Sequence, residues 1–420
     1  MALAADAPKQ SFRLGMLIYD TRYRAITIQV IVLILVLLFV GWLLDNARMN
    51  LALKGKDIDF SFLWRRAGYD IEQNLIPYTN DSSHFRAILV GLLNTLVVAF
   101  FGCIFSTVIG VFFGVLRLSK NWIVSRMMVI YIEVFRNVPL LLWIVLVYVV
   151  FSEVMPQPKD FRPGADGVAK ASMWLWDSMA ITNRGTNIPA PLLTRPLPDL
   201  DTAALSLNTS LWFVIILFAV SVWLNRKIVQ QATKVQEATG IRPTTWWKSL
   251  LILIVPTVAA LVLMGFHLDY PVLAGFNFKG GINVAHAFSA LLVGLTLYYA
   301  AVIAETVRAG IQAVSRGQSE AAFALGLQPG RTMSLVILPQ ALRVIIPPLI
   351  SQFLSLTKDT SLGIAVSYLD LRGTLGGITL NQTGRELECM MLLMLTYLLI
   401  SLIISAVMNA YNASVKLKER

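Results

Sequence analysis

The segment SRGQSEAAFALGLQPGRTMSLVILPQAL, from Ser315 to Leu342, separates two long apolar runs. Its middle is polar, rich in alanine and glycine, and carries charges of both signs. Apolar runs of about 18 or more residues are typical of transmembrane helices, and the charges of this chain cluster between such runs. With 56% hydrophobic and 14% charged residues among 420, the chain is too apolar for an ordinary soluble domain. We therefore interpret it as an all-α polytopic membrane protein.

The apolar runs predict about eight transmembrane helices. The first run is too long for the apolar part of a signal peptide, and no small-residue cleavage site follows it, so we expect an uncleaved first span. The fourth run is shorter than a typical span. The eight expected spans are 25–44, 87–116, 127–155, 210–224, 249–266, 286–310, 341–368 and 389–411.

The distribution of lysine and arginine predicts that both termini, and the 315–342 segment, lie in the cytoplasm. The net charge of +11 therefore reflects membrane topology rather than nucleic-acid binding. Two long loops, 45–86 and 156–209, are expected on the outer side, and seven prolines in the second predict extended, irregular chain. The basic residues assigned to the inner side are Lys9, Arg13, Arg22, Arg24, Arg117, Lys120, Arg126, Arg226, Lys227, Lys234, Arg242, Lys248, Arg316, Arg331, Lys416, Lys418 and Arg420.

A short helix is predicted inside the 315–342 segment. Ser319 is a suitable N-cap, and Glu320 then lies in the first turn, where the helix dipole favours an anion. Gly326 can adopt the left-handed conformation that ends a helix, and Pro329 blocks further extension. So short a helix is unstable alone in water, so we expect it to dock into a partner. The residues with almost no side-chain bulk are Ala321, Ala322 and Ala324.

This segment resembles the EAA loop of ABC-importer permeases. Val336 stands where that family has isoleucine, which is a mild departure. The resemblance implies that Glu320 to Gly326 form the coupling helix, which inserts into a cleft of a cytoplasmic ATPase. The parts of the motif, at the family's spacing, are Glu320-Ala321-Ala322, Gly326 and Val336-Ile337-Leu338-Pro339.

Four further blocks are similar to the polar amino-acid uptake branch of these permeases: LLNTLVVAF from Leu92, EVFRNVPLLLWIVLVY from Glu133, YYAAVIAETVRAGIQAV from Tyr298 and LTKDTSLGIAV from Leu356. An enlarged eight-span chain of this kind resembles the membrane subunits of general L-amino-acid importers. The resemblance implies a five-helix permease core interrupted by an insertion.

The expected organisation has five parts. An N-terminal segment, first span and outer loop (1–86) precede the first part of the core (87–155). An insertion with a proline-rich loop and two extra spans (156–285) separates it from the second part of the core (286–411). A cytoplasmic tail follows (412–420).

The resemblance implies a permease subunit of an ATP-driven importer of amino acids in a bacterial inner membrane. The expected partners are an ABC ATPase dimer that uses ATP and Mg, a second permease (a heterodimer in preference to a homodimer), and a periplasmic amino-acid-binding protein. The chain has no G-x-x-x-x-G-K-[ST] motif, and its histidines and cysteines lack metal-ligand spacing. We therefore expect it to bind no cofactor and not to be an enzyme.

Two other functions are consistent with a polytopic chain. An ion-coupled secondary amino-acid transporter would use Glu305 and Asp359 as coupling carboxylates and would need no EAA helix. A membrane scaffold for a kinase or sensor would transport nothing, and the charges within the predicted spans disfavour it.

Charged residues within the spans are candidates for the transport pathway. Glu305 and Arg308 lie one turn apart on one helix face, which predicts either an internal salt bridge or a substrate contact. Lys358 and Asp359 have the chemistry to bind the two charged groups of an amino acid, or they neutralise each other. The other residues assigned to the substrate pathway are Thr360, Ser361, Asn94 and Thr95.

Several prolines and glycines have predicted structural roles. Pro347 and Pro348 should kink the seventh span, which suits a gate. The resemblance suggests that Arg136 and Pro139 pack near the coupling loop. The pair formed by Gly110 and the glycine four residues later permits close helix contact within the chain.

Overall fold

The computed structural model describes residues 15–53, 58–163, 167–201 and 206–415. Helices account for 71% of the described residues. The α-helices are α1 (Met16–Tyr19), α2 (Thr21–Leu53), α3 (His84–Arg117), α4 (Trp122–Asn137), α5 (Leu140–Val149), α6 (Thr209–Thr239), α7 (Trp246–Leu263), α8 (His286–Gln312), α9 (Arg316–Ala324), α10 (Pro329–Thr332), α11 (Leu338–Asp359), α12 (Leu371–Gly373), α13 (Leu380–Thr383) and α14 (Glu386–Val415).

Irregular helical segments extend or join these helices. Three are 3₁₀ turns, at Ser61–Trp64, Pro158–Phe161 and Thr360–Val366, and three are π segments, at Val150–Val154, Met333–Ile337 and Thr374–Thr379. The strands are β1 (Ala180–Thr182), β2 (Gly185–Ile188), β3 (Ala190–Leu193), β4 (Leu200–Asp201), β5 (Ser206–Leu207), β6 (Phe266–Asp269), β7 (Val272–Ala274), β8 (Asn277–Lys279) and β9 (Ile282–Val284).

The chain divides into two compact units, Met1–Phe60 and Ser61–Arg420. The first contains α1 and α2. The apolar residues of α2 from Ile26 onward are exposed over the whole circumference of the helix, which is the pattern of a helix surrounded by lipid. The expected first span, 25–44, lies within it. Lys9 and Arg13 lie outside the described residues, as do Lys416, Lys418 and Arg420.

The core of the second unit is the packing of α3 against α8. A β-carbon placed on Gly110 would lie 2.7 Å from Cβ of Ile303, and one on Gly114 would lie 2.7 Å from the carbonyl oxygen of Ala304. The two backbones approach this closely only because these glycines have no side chain. The predicted close contact within the chain is therefore confirmed.

Seven described helices are long and apolar enough to cross a membrane, and a bent helix pair brings the number to as many as eight. The bent pair falls within the third expected span, 127–155, where Trp122–Asn137 and Leu140–Val154 meet at 101°. The cause is Pro139, since a proline favours extended backbone in the residue before it, and Val138 has φ −98° and ψ 133°. The expected span 127–155 thus consists of two helices joined at a bend, and counted as one span it gives the expected number of about eight.

The fourth expected span, 210–224, belongs to a much longer helix. Helix α6 has 31 residues and ends only at Gly240, which is left-handed with φ 74°. The predicted inner-loop residues Arg226, Lys227 and Lys234 are therefore helical and lie on an extension of the span.

The prolines of the seventh expected span do not interrupt its helix. Helix α11 continues through Pro347 and Pro348 to Asp359, and the change to a 3₁₀ turn occurs at Thr360. The turn ends at Ser367, which is left-handed.

The insertion forms short strands where irregular chain was expected. Strand β2 pairs with β1 and with β9, and β3 pairs with β6, so the 156–209 loop is tied to the chain between α7 and α8. Because β9 leads directly into α8, these strands lie at one end of the helical bundle, called here the strand end. Helix α9 follows the other end of α8, called here the α9 end.

One hairpin at the strand end has an unusual backbone. Leu175, Trp176 and Asp177 are all left-handed, with φ of 51°, 56° and 59°. For residues other than glycine this conformation costs about 1–2 kcal/mol each, although aspartate tolerates it better than leucine or tryptophan.

Candidate functional site

The EAA segment folds as a short exposed helix. Helix α9 begins after Ser315, so Glu320 lies at its middle and not in its first turn. The expected N-cap, Ser319, is therefore wrong. Only three residues connect Gln312 at the end of α8 to α9, and this short connection places the earlier of the two serines at the N-cap position.

The end of α9 is a Schellman motif. The N–H of Leu327 donates to the carbonyl of Ala322 at 3.1 Å, and the N–H of Gly326 donates to that of Phe323 at 2.9 Å. Gly326 has φ +77°, as its predicted role requires. Pro329 does not simply stop the helix, because it occupies the first turn of α10.

The exposed surface of helix α9 includes several small side chains. Ala322 is buried at 4% exposure and faces the protein, whereas Glu320, Ala321 and Ala324 are exposed. Leu325, at the C-cap, is 82% exposed. A partner groove can therefore approach the backbone closely at Ala321 and Ala324, while Leu325 and the half-exposed Phe323 offer it apolar contacts.

The structure ties α9 to the start of α11. Nε2 of Gln340 donates to Oε1 of Gln318 at 3.3 Å and to the carbonyl of Val336 at 3.0 Å. Pro339 lies in the first turn of α11, directly after the π segment that ends at Ile337. The I-x-L-P part of the motif thus forms the junction between the two helices, and Leu338 remains partly exposed. Sequence reasoning missed Gln340, whose partner lies on another helix.

A cluster of three charges lies near the α9 end. Nε of Arg308 lies 3.2 and 3.1 Å from the two carboxylate oxygens of Glu305, which confirms the predicted internal salt bridge. Arg117, at the last turn of α3, also contacts this carboxylate. One partly buried anion therefore joins α3 to α8. From the sequence, Arg117 was assigned only to the inner loop. It lies 188 positions from Glu305 along the chain, so no local sequence pattern indicates their contact.

Asp359 has a hydrogen-bond partner that the sequence did not indicate. The hydroxyl of Tyr299, a buried residue of α8, donates to Oδ2 of Asp359 at 2.6 Å. The neighbouring Lys358 is exposed. Thr360 is fully buried, and its hydroxyl donates to the carbonyl of Thr357 at 2.9 Å. The three consecutive side chains thus differ in burial: Lys358 is exposed, Asp359 is partly buried and Thr360 is buried. Ser361, in the following 3₁₀ turn, is partly buried.

Asn94 and Thr95 are buried and bind backbone groups. Nδ2 of Asn94 donates to the carbonyls of Gln73 at 2.8 Å and Leu369 at 2.9 Å. The hydroxyl of Thr95 accepts from the N–H of Leu371 at 3.0 Å while donating to the carbonyl of Gly91. Both residues thereby position the chain after α11 against α3.

Asn94 also lines a cavity of about 350 Å³ at the strand end. The cavity wall is mainly apolar, with polar groups from Gln73, Asn74 and Tyr368. It is large enough for an amino acid, but among the described residues its wall contains no charged side chain.

Arg136 and Pro139 lie at the bend between α4 and α5. Arg136 is exposed in the last turn of α4, and Pro139 is the N-cap of α5. Their predicted packing near the coupling loop stays a prediction. Among the described residues, no group of three or more His, Cys, Asp or Glu side chains could hold a metal ion.

The sequence of residues 106–417 matches the family described as "Binding-protein-dependent transport system inner membrane component". The match covers more than half of the chain. The chain belongs to this family. It is therefore an integral inner-membrane component of a transport system and not an enzyme.

Three proteins named as transport permeases match nearly the whole chain. The glutamate/glutamine/aspartate/asparagine transport system permease protein BztB of Rhodobacter capsulatus is 62% identical over 100% of both chains. The general L-amino acid transport system permease protein AapQ of Rhizobium johnstonii is 40% identical over 98% of this chain and 96% of its own. The putative amino-acid ABC transporter permease protein YhdX of Escherichia coli K12 is 38% identical over 94% of this chain and 95% of its own.

Proposed function

We propose that this chain is a permease subunit of an ATP-driven importer of polar L-amino acids. The similar proteins named for acidic amino acids and their amides, or for general L-amino acids, support this substrate class. The observation that carries the proposal is α9, a short helix with a small-residue surface that is closed by a Schellman motif and tied to a transmembrane helix.

Helix α9 is the coupling helix in this proposal. Its exposed side, with Glu320, Ala321 and Gly326, docks into a cleft of an ABC ATPase that binds ATP and Mg. Closure of the ATPase dimer moves α9. The side-chain hydrogen bond between Gln318 and Gln340 couples this movement to α11. The ATPase supplies the energy because it interacts differently with the two states of the permease.

Helix α11 carries the motion to the proposed substrate pathway. Lys358, exposed on α11, offers an ammonium group for a substrate carboxylate, and Asp359 offers a carboxylate for the substrate ammonium. Binding of an amino acid at Asp359 competes with the Tyr299 hydroxyl. Thr360 and Ser361 follow Asp359 in the 3₁₀ turn. Asn94 and Thr95 hold the backbone at Leu369 and Leu371, which follows that turn.

The proposed assembly places α9 and both termini in the cytoplasm and the strand end outside. The basic residues on the extension of α6 and around α9, such as Arg226, Lys234 and Arg316, support this orientation. A second, different permease subunit, two ATPase copies and a soluble amino-acid-binding protein complete the transporter.

The decisive experiment is purification of the tagged chain from its native membrane, with its partners identified by mass spectrometry. We expect a stoichiometric ATPase that is lost in Gly326→Asp, because a side chain there destabilises the left-handed turn and adds charge at the docking side. Gly330→Asp is the matched control, since it adds the same charge four residues away, where the φ angle is ordinary and the space is open.

Retention of the ATPase in Gly326→Asp would contradict the coupling role of α9. If the chain purifies alone and takes up amino acids into liposomes under an ion gradient, it is a secondary transporter, with Glu305 and Asp359 as the coupling carboxylates.

A further inference from the structure

The left-handed hairpin at the strand end exposes large apolar side chains. Trp176 is 97% exposed, Trp174 is 64% exposed and Leu175 is 62% exposed. The hairpin is closed by Trp174 and Met179, whose backbone N–H groups donate to each other's carbonyls at 2.7 and 3.1 Å. The apolar tip is therefore a defined turn.

The residues of this tip conflict with its backbone conformation. Glycine or asparagine would form three left-handed positions with less strain than leucine and tryptophan. The exposed side chains make the tip unfavourable in water as well. A contact outside the chain, in which these side chains become buried, accounts for both features.

The sheet of β1, β2 and β9 sets the direction of the tip. The N–H of Asn183 donates to the carbonyl of Pro156 at 2.9 Å, just beyond the helical segment that ends at Val154. Thr186 pairs with Val284, which closely precedes α8. The Thr182 end of β1 therefore lies beside the ends of the spans. The tip precedes the opposite end of β1, Ala180, which is the end farther from the spans, and this favours a soluble partner over the bilayer.

A second exposed aromatic ring lies in the same insertion, near the β1–β2 turn. Phe276, in the turn between β7 and β8, is 87% exposed, and the guanidinium carbon of Arg162 lies 6.0 Å from its ring centroid. Arg184 donates to the carbonyl of Phe276 at 3.3 Å. Aromatic rings and arginines are the side chains that contribute most to protein interfaces.

Exposed basic residues connect the two aromatic sites. The N–H of Ala171 donates to the carbonyl of Asp160 at 2.9 Å, which holds the chain leading to the tip against the 3₁₀ turn Pro158–Phe161. Lys159, Arg162 and Lys170 are exposed along this contact, and in the described residues 159–163 and 167–177 one acidic residue, Asp177 on the tip, is exposed. Such a surface complements a partner with apolar recesses and an acidic rim.

We propose that this region is the docking surface for the soluble binding protein that delivers the amino acid. The outer docking surface consists of Trp174–Asp177, Phe276, Lys159, Arg162 and Lys170. The tryptophans enter apolar recesses of the binding protein, and the basic residues pair with its acidic side chains. The inference rests on the proposed function, since it requires that such a protein act with this chain.

The test measures ATP hydrolysis by the purified complex in proteoliposomes as a function of binding-protein concentration. The probe is the binding protein that purifies with the native complex, loaded with L-glutamate. The variant L175N/W176N removes the apolar side chains, whereas asparagine tolerates the left-handed backbone. Trp64→Asn is the matched control, since Trp64 is a 69% exposed tryptophan of the outer 3₁₀ turn Ser61–Trp64.

We expect L175N/W176N to raise the half-maximal concentration of binding protein at least 10-fold, with unchanged ATP hydrolysis in its absence, and Trp64→Asn to leave both unchanged. The charge reversal R162E/K170E should have the same effect as the tip variant and should weaken the dependence on salt. An unchanged half-maximal concentration in both variants would overturn the proposal.

A fluorophore on Trp176→Cys provides a second measurement that does not depend on activity. Its emission should shift to the blue only when the binding protein is added. A blue shift in proteoliposomes alone, with quenching by brominated lipids, would place the tip in the bilayer and overturn the proposal. If no binding protein stimulates the wild-type complex, the proposed function fails as well; if the wild type responds and the variants match it, only the docking surface fails.

Discussion

Glu305 joins α3 to α8 near α9. Its carboxylate binds Arg308 of its own helix and Arg117 of α3, and the three side chains are between 15% and 26% exposed. Two partly buried cations therefore share one anion.

Glu305→Gln should destabilise the protein, because it removes the carboxylate that contacts both Arg117 and Arg308 and leaves these two cations facing each other. Loss of one partner from a buried ion pair costs about 3 kcal/mol or more. We expect a lower Tm in detergent, and partial recovery when Arg117→Gln is added. Equal Tm values for Glu305→Gln and the wild type would show that the cluster contributes nothing to stability.

Asp370 predicts a dependence of stability on pH. It lies between the last two spans, and burial raises the pKa of its carboxyl to about 6, although the N–H of Gly373, the hydroxyl of Tyr397 and the charge of Arg372 lower it. A carboxyl with a raised pKa favours folding when protonated. Its contribution is therefore present at low pH and is lost as pH rises from about 4 through 6, by about 3 kcal/mol in total.

The measurement is Tm at pH 5 and pH 7.5 for the wild type and Asp370→Asn. Asparagine keeps the acceptor for Gly373 and does not titrate. We expect the Tm of the wild type to fall further than that of the variant when the pH is raised from 5 to 7.5. Parallel changes in the two proteins would mean that Asp370 has an ordinary pKa.

At the scale of elements, the packing of α3 on α8 depends on glycine. Gly110→Ala should destabilise the protein by about 1–3 kcal/mol, because the new methyl group would overlap Ile303. Gly41→Ala in α2 is the control: it meets open space and should be neutral or slightly stabilising. Thermal unfolding in detergent measures both, and equal effects would contradict the assigned packing.

The two faces of α9 should respond differently to the same substitution. Ala321→Trp enlarges the exposed face, so we expect an unchanged Tm with loss of the ATPase from the purified complex. Ala322→Trp enlarges the buried face, so the Tm itself should fall. An ATPase that stays bound to Ala321→Trp would show that this face is not the docking side.

The spans could be predicted because long apolar runs require a lipid environment whatever their partners. The bend at Pro139 could not, since an apolar run continues through it and only the meeting of two helices reveals the angle. The start of α9 was missed for a related reason: Ser315 and Ser319 are equally good caps, and the short connection from α8 decides between them.

At the scale of the whole molecule, the proposed orientation is directly testable. A membrane-impermeant maleimide should label Trp176→Cys in intact cells, and Gly330→Cys only after the cells are permeabilised. The native Cys389 is buried and Cys103 is partly buried, so the background is measured on the wild type. The opposite labelling pattern would reverse the topology.

The candidate site was predicted less completely than the spans. The spacing of the EAA motif identified α9 because its parts are close in sequence. The partner of Asp359 is 60 positions away in α8, and that of Glu305 is 188 positions away in α3. Such contacts depend on helix packing, so no local pattern indicates them.

The ends of the insertion lie side by side. At the start of the insertion, the carbonyl of Pro156 accepts a hydrogen bond from the N–H of Asn183, in the turn that leads into β2. At its end, β9 pairs with β2 just before α8 begins. Phe151 also stacks on His286 with ring centroids 5.7 Å apart. Two neighbouring chain ends can be rejoined by a few residues, so the insertion has the geometry of a cassette. Evolution could add or remove the insertion as one block. A protein engineer could exchange it for another outer domain without changing the connections between the core helices.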